Sequence, residues 1–306
     1  MKKTLVLIAV AVPTGIAVGA VDAVFGRVLL YLGAVRDAHT AWFLPFLGLI
    51  GALMAWAYKR YGAGCENGMG MVFEAGHAER EAIPLRLVPF VICATWLTHL
   101  FGGSAGREGV AVQLAAAPEW SAELALELTA LGIVFGLTGA AFAFCLKRAK
   151  KLAQNRLKNP VLRALVMGVA LSAVLYLLYR GRYCGLGTNL INASLAGEPI
   201  YAWDWALKLA LTVLTLSAGF QGGEVTPLFS IGASLGAALA GLLGLSAAFC
   251  AALGYAAVFG SATNTLLAPA LIGAEVFGWA AAPHFFAVCA LAYAVNGCRS
   301  IYSGQK

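Results

Sequence analysis

Gly102-Gly103-Ser104-Ala105-Gly106-Arg107-Glu108-Gly109 is a glycine-rich turn carrying an arginine and a glutamate inside an otherwise apolar sequence. Apolar residues 83–100 lead into it and apolar residues 110–117 lead away. A charge at bilayer depth is costly, so an ionisable residue there marks a functional site by default. Glycines let backbone amides approach a ligand closely, and a helix that begins just beyond them presents a partial positive charge. The stretch therefore reads as an anion site with a titratable carboxylate in it.

The surrounding composition sets the depth. The chain is 61% hydrophobic and 11% charged, against roughly 25% charged residues in a globular protein, which excludes a soluble fold. A mean hydropathy of +0.82 agrees. Apolar runs of spanning length, roughly 17–25 residues, recur, and the class is an all-α polytopic membrane protein. The excess of 21 Lys+Arg over 14 Asp+Glu fits basic cytoplasmic loops better than nucleic-acid binding, because no basic stripe with interleaved aromatics accompanies it. The seven cysteines are scattered without C-x-x-C spacing, so they read as small hydrophobes, and neither disulfides nor a zinc site is expected. Met1-Lys2-Lys3 precedes an apolar stretch too long for a signal peptide, so it reads as the first helix with a cytoplasmic N-terminus.

In order, residues 5–35 and 42–58 read as the first two helices, the second closed by Lys59-Arg60. Residues 62–73 are too short and glycine-rich to span, and read as a re-entrant turn into a short helix, tolerated at depth only inside protein or along a cavity. Residues 83–100 form the next helix, before the polar turn, and Pro118 ends the element after it. Residues 130–146 then run into Lys147, Arg148, Lys150, Lys151, Arg156 and Lys158, the strongest basic cluster and the firmest cytoplasmic assignment. A span at 162–179 follows, then a glycine-bearing break at 184–189 and a helix at 203–218. Gly219-Phe220-Gln221-Gly222-Gly223-Glu224-Val225-Thr226-Pro227 is a second polar turn, before a helix at 228–245. Arg180 and Arg182 read as ordinary loop charges. His99 and Glu275 are further titratable groups in apolar surroundings.

These elements make two passes of one plan, helix, helix, short glycine turn, helix, Gly-Gly/Glu turn. Gly68 to Glu108 spans 40 positions and Gly185 to Glu224 spans 39. The first helix leaves the cytoplasm whereas 130–146 arrives there, as an inverted repeat requires. Broken segments at matching places in two halves point to a midplane transport site. The chain reads as one membrane domain, 1–306, with a first repeat over 1–120 and a second over 125–306. The second continues well past Glu224, whereas the first is followed almost at once by the next pass, so its closing helices are missing.

Residues 102–113, with Gly106-Arg107-Glu108-Gly109 at their centre, resemble the signature of the CLC anion transporters, in the form carried by the bacterial fluoride/proton antiporter branch. Residues 219–229 look like that branch's second motif, with Glu224-Val225-Thr226-Pro227 in place of the Phe-x-Pro form of the chloride members. Residues 300–303 look like the C-terminal helix that brings a pore tyrosine. The resemblance implies a CLC-type inverted-repeat bundle with broken and re-entrant helices. It makes Glu108 the gating and proton-carrying glutamate, puts Met69 in place of the chloride members' pore serine, and lines the pathway with Gly106, Arg107, Gly109, Glu224, Val225, Thr226 and Tyr302. Met71 falls where the branch would carry a pore asparagine. Also implied are a homodimer in a bacterial inner membrane, with fluoride, or chloride, and protons as substrates.

A carboxylate near a helix N-terminus occupies the anion site when ionised and leaves it when protonated. Its pKa, near 4.3 in water, rises with burial and falls with nearby donors, so proton-coupled exchange needs no cofactor. Each residue has a plainer alternative. Arg107 and Glu108 can form a structural ion pair, Glu224 can cap the helix that starts near Thr226-Pro227, Met69 and Met71 can be packing residues, and Tyr302 an interfacial anchor. Three other functions compete with fluoride export, namely chloride transport, an inactive shortened remnant, and an intramembrane hydrolase on Glu108 and His99, for which no nucleophile or metal set is present.

Overall fold

The computed structural model describes residues 21, 23–62, 87–103 and 118–302, without the side chain of Leu87. These residues are helical throughout their regular structure. In chain order they are α1 (23–38), α2 (Thr40–Tyr61, with a 3-10 turn at Leu44–Phe46), α3 (Leu87–Leu100), α4 (Ala122–Arg156), α5 (Pro160–Leu177), α6 (Thr188–Ala196), α7 (Asp204–Ala218), α8 (Val225–Leu243), α9 (Ala247–Thr263), α10 (Leu267–Phe277) and α11 (Ala282–Val295). Four of them, α2, α4, α5 and α8, are long and apolar enough to cross a membrane.

Helix starts follow local chemistry. Ser121 accepts from the Leu124 amide at 3.0 Å and begins α4, eight residues before the apolar run suggests. Asn159 accepts from Val161 at 3.0 Å, and Pro160 takes the first helical position of α5, where its missing N–H costs nothing. At 35 residues, α4 is about 50 Å long, so it outruns the ~30 Å hydrocarbon core and carries its basic end out of it.

The core has two parts. In the larger, α9 is buried on every side against α4, α8, α10 and α11. A helix that is apolar all round belongs in such a place. It crosses α8 backbone to backbone, and a methyl group on Gly232 or Gly236 would strike the carbonyls of Gly254 or Cys250. Phe229 stacks on Tyr255 beside the crossing, with ring centroids 3.8 Å apart. Small residues are what let membrane helices approach this closely. In the smaller part, α2 and α5, the second helix of each pass, cross at Gly48 and Gly168, with Phe220 wedged against both α2 and α5. Leu53, Leu137 and Val169 expose their side chains on the outer faces of α2, α4 and α5.

Gly232→Ala places its methyl against a main-chain carbonyl, which has no rotamer to move into. The expected loss is roughly 1–3 kcal/mol of stability, typical of an overpacked core, read as a lower melting temperature of the detergent-purified protein. Gly241→Ala, with open space at the same point, leaves the melt unchanged.

Candidate functional site

The second polar turn is built where α7 stops and α8 begins. Gly219 ends α7 with φ 99°, a conformation glycine adopts without strain. Glu224 then stands at the N-cap of α8 with φ −86° and ψ −16°, and its side chain makes no capping hydrogen bond. Its Oε1 lies 3.9 Å from Nζ of Lys150 on α4, within the basic cluster. Capping is therefore not what holds Glu224; it faces the basic end of the bundle. The helix starts three residues earlier than the sequence suggests, which puts Val225 and Thr226 inside its first turn. Val225 is half-buried against the larger core.

Thr226 is fully buried and its hydroxyl has no hydrogen-bond partner among the described residues; the same holds for Ser230, one turn on. Residues four apart share one helix face. Buried hydroxyls are nearly always bonded, so two orphans in one row beside a helix N-terminus suit an acceptor that comes and goes.

Tyr302 reaches this turn from the other end of the chain. The segment 296–302 is irregular rather than helical, and it is pinned to the end of α9. The Ile301 amide donates to the Ala262 carbonyl at 2.9 Å, and the Ser300 hydroxyl to the Thr263 carbonyl at 3.3 Å. Asn296 donates to Asn264 at 3.1 Å and to the Arg299 carbonyl at 2.6 Å. The half-buried phenol of Tyr302 lies close enough to Glu224 to feel its charge. Four sequence-predicted residues, Glu224, Val225, Thr226 and Tyr302, thus converge. Met69, Met71, Gly106, Arg107, Glu108 and Gly109 lie outside the described residues. The approach to them ends at Gly103, whose amide donates to the Thr98 carbonyl at 2.8 Å.

A second group of charges departs from the sequence reading. Arg182 is not an ordinary loop charge. Its Nη2 lies 2.7 Å from Oδ2 of Asp204, a carboxylate with no exposed surface, and its Nε donates to Oδ1 at 3.2 Å. The Tyr183 hydroxyl donates to Oδ1 at 2.6 Å and the Tyr201 amide to Oδ2 at 3.0 Å. Tyr183 sits in the turn between α5 and α6, outside the spanning helices. Burial, then the hydrogen bond to Asp204, hold its phenol above its ordinary range, so it remains a donor. Lys208, also fully buried, donates to the carbonyls of Gly185 at 2.6 Å and Tyr183 at 3.1 Å. Asp204, Lys208 and Ser230 were missed in sequence. For Lys208 the signal was present, a cation inside an apolar helix. Glu275, in contrast, is exposed on α10 and takes no part in either group. His99 is buried, and its Nδ1 lies 2.7 Å from the Thr95 carbonyl.

Comparison with known proteins gives one answer at three levels. A family model described as voltage gated chloride channel matches residues 50–119 and 117–297. A chloride/fluoride channel protein of Pseudomonas syringae pv. tomato is 29% identical over 381 residues, covering 94% of this chain and 83% of that protein. That alignment is longer than the 306 residues of this chain, so the relative carries stretches with no counterpart here. The crystal structure of a CLC-type fluoride/proton antiporter superposes with a TM-score of 0.94 at 39% identity, covering 95% of each chain. A slow cyanobacterial Cl⁻/H⁺ antiporter superposes with a TM-score of 0.74 at 15% identity, over 95% of this chain and 93% of that one, a likeness of fold.

Proposed function

Because the chain belongs to the voltage-gated chloride channel family, the CLC proteins, we propose that it exports fluoride in exchange for protons across a bacterial inner membrane, with its N-terminus in the cytoplasm. Glu108 is the gate. Ionised, it fills the anion site; protonated, it leaves the site to fluoride. Gly106, Arg107 and Gly109 belong to the same motif, Met69 takes the place of the chloride members' pore serine, and Met71 falls where the branch would carry a pore asparagine. Thr226 donates its hydroxyl to the anion at the start of α8, beside Val225 and Tyr302, and Glu224 stands on the cytoplasmic side of that point.

The observation that carries this reading is the Thr226 hydroxyl, fully buried, unpartnered among the described residues, and in the first turn of a helix. Fluoride is a compact anion that accepts strong hydrogen bonds, and a donor to a charged group is worth ~1.5–3 kcal/mol. Similarity at 39% identity to a fluoride/proton antiporter supports the choice of ion. Chloride is the second reading, supported by the relative named for both ions. We further propose that the first repeat, 1–120, lacks its closing helices while the second, 125–306, keeps them; the family match in two pieces that meet at 117–119 supports this. Two chains form the transporter.

The test is flux from proteoliposomes, with fluoride and chloride electrodes and a pH indicator in the same preparation. Fluoride efflux with proton influx, and chloride efflux far slower, is expected. Chloride efflux matching fluoride efflux sinks the selectivity, and an absence of proton movement sinks the exchange. Thr226→Val sharpens the test, since it keeps the shape and deletes the donor. Fluoride flux is expected to fall about tenfold to a hundredfold, the loss of one hydrogen bond to a charged group. The same variant is expected to melt no lower than the parent, because the hydroxyl it removes has no partner to lose among the described residues.

A further inference from the structure

We propose that the outward face of α4, at its basic end, binds an anionic phospholipid. Arg148 and Lys151 hold the lipid phosphate, and an acyl chain lies along Phe144. The site uses the membrane class of the chain and is independent of the ion that the protein carries.

α4 turns one strip of its surface outward along most of its length. Leu126, Ile133, Leu137 and Phe144 are all exposed, and at ~100° per residue they fall within a strip about 40° wide. The rise from Leu126 to Phe144 is about 27 Å, close to the ~30 Å of a hydrocarbon core. The strip is therefore the lipid-facing side of α4, and Phe144 marks the inner edge of the apolar layer. Arg148 and Lys151 continue the same strip and are exposed. Arg148 stands ~6 Å beyond Phe144, at the level of the headgroups. Leu152 borders the two cations and is 59% exposed.

The charge at this end has no counterpart in the sequence around it. Residues 128–197 contain neither aspartate nor glutamate. Lys150, on the opposite side of α4, is taken by Glu224 at 3.9 Å. Arg148 and Lys151 have no ion pair among the described residues. The guanidinium of Arg148 lies over the Phe144 ring, 5.1 Å from its centroid. That contact uses the face of the guanidinium plane and leaves its edge donors for a bidentate acceptor, the geometry that suits a phosphate. The occupant thus has an anionic head at Arg148 and Lys151 and an apolar body below them. An anionic phospholipid has both parts, and juxtamembrane cations attract such lipids by ~1 kcal/mol each. A second copy of this chain does not fit, because a two-fold interface sets a patch against itself and would bring like charges together.

The test is native mass spectrometry of the delipidated, detergent-purified protein, titrated with dioleoylphosphatidylglycerol or with zwitterionic dioleoylphosphatidylcholine. The parent is expected to hold phosphatidylglycerol at several-fold lower lipid concentration. The double variant Arg148→Gln, Lys151→Gln should bind it roughly tenfold more weakly or worse, as expected for two cations removed from an anionic surface. Arg156→Gln, Lys158→Gln removes the same charge away from the strip and should bind as the parent does. Equal binding of the two lipids by the parent overturns the site. Equal loss in both double variants also overturns it, because diffuse attraction then explains the binding. In a second arm, phosphatidylglycerol should raise the melting temperature of the parent and leave that of Arg148→Gln, Lys151→Gln unchanged. The soluble headgroup sn-glycerol 3-phosphate should raise neither. A rise with the soluble headgroup alone assigns the cations to free phosphate and overturns the lipid. No arm measures flux, so a failure of the transport reading leaves each of these outcomes as it stands.

Discussion

Replacing Glu108 by Gln is expected to stop proton movement while leaving the protein folded. Glutamine has nearly the shape of the protonated glutamate and cannot acquire the charge that competes with the anion. In the mechanism proposed above, the site is then held in the state that otherwise exists only after protonation. A side chain that positions a proton contributes roughly two to four orders of magnitude to the step it serves. Coupled proton uptake should fall by that much, and any fluoride flux that remains should lose its dependence on pH. Proton uptake at the parent rate in Glu108→Gln would remove this residue from the mechanism and leave Glu224 as the next carboxylate to test. Because Glu108 follows a glycine-rich turn, its replacement is not expected to alter the melting temperature, so flux and folding can be read separately.

The largest loss of stability is expected at Asp204. Its carboxylate takes four donors, two from Arg182, one from Tyr183 and one from the Tyr201 amide. Asp204→Ala strands a guanidinium and a phenol whose partner is gone, and breaking a buried ion pair from one side costs about 3–5 kcal/mol. The detergent-purified variant should melt well below the parent or fail to purify. The double variant Asp204→Ala, Arg182→Met should recover part of that loss, because the unpaired charge goes with its partner. A double variant that melts as low as Asp204→Ala alone, or lower, would assign the cost to something other than the stranded charge.

How much of this was readable in the sequence differs between elements, for physical reasons. The polar turn at 219–227 was legible because glycine, a carboxylate and proline have strong local preferences that no tertiary contact needs to supply. The membrane class was legible from composition alone. What escaped was pairing. Arg182 looks like any arginine at the end of a helix, and nothing local says that Asp204, 22 positions on, returns to it. Ser230 is one of many small residues in an apolar helix, and what sets it apart, a buried hydroxyl without a partner among the described residues, only packing reveals. The start of α4 was misplaced because Glu123 and Glu127 break the apolar run, although Ser121 was a cap in plain view. The glutamate turn at 102–109 is a different case, since its gate lies beyond the described residues and its role stays a proposal.

The pinning of segment 296–302 has a mechanical meaning. Tyr302 is not anchored by a helix of its own. It hangs from the last turn of α9 through the Ile301 amide and the Ser300 hydroxyl, with Asn296 and Asn264 bracing the join. α9 in turn touches α8 through bare backbone at Gly232 and Gly254. The tyrosine and the threonine are therefore mounted on one pair of crossed helices. In the transport reading proposed above, the gauge of the passage between them follows the α8–α9 crossing.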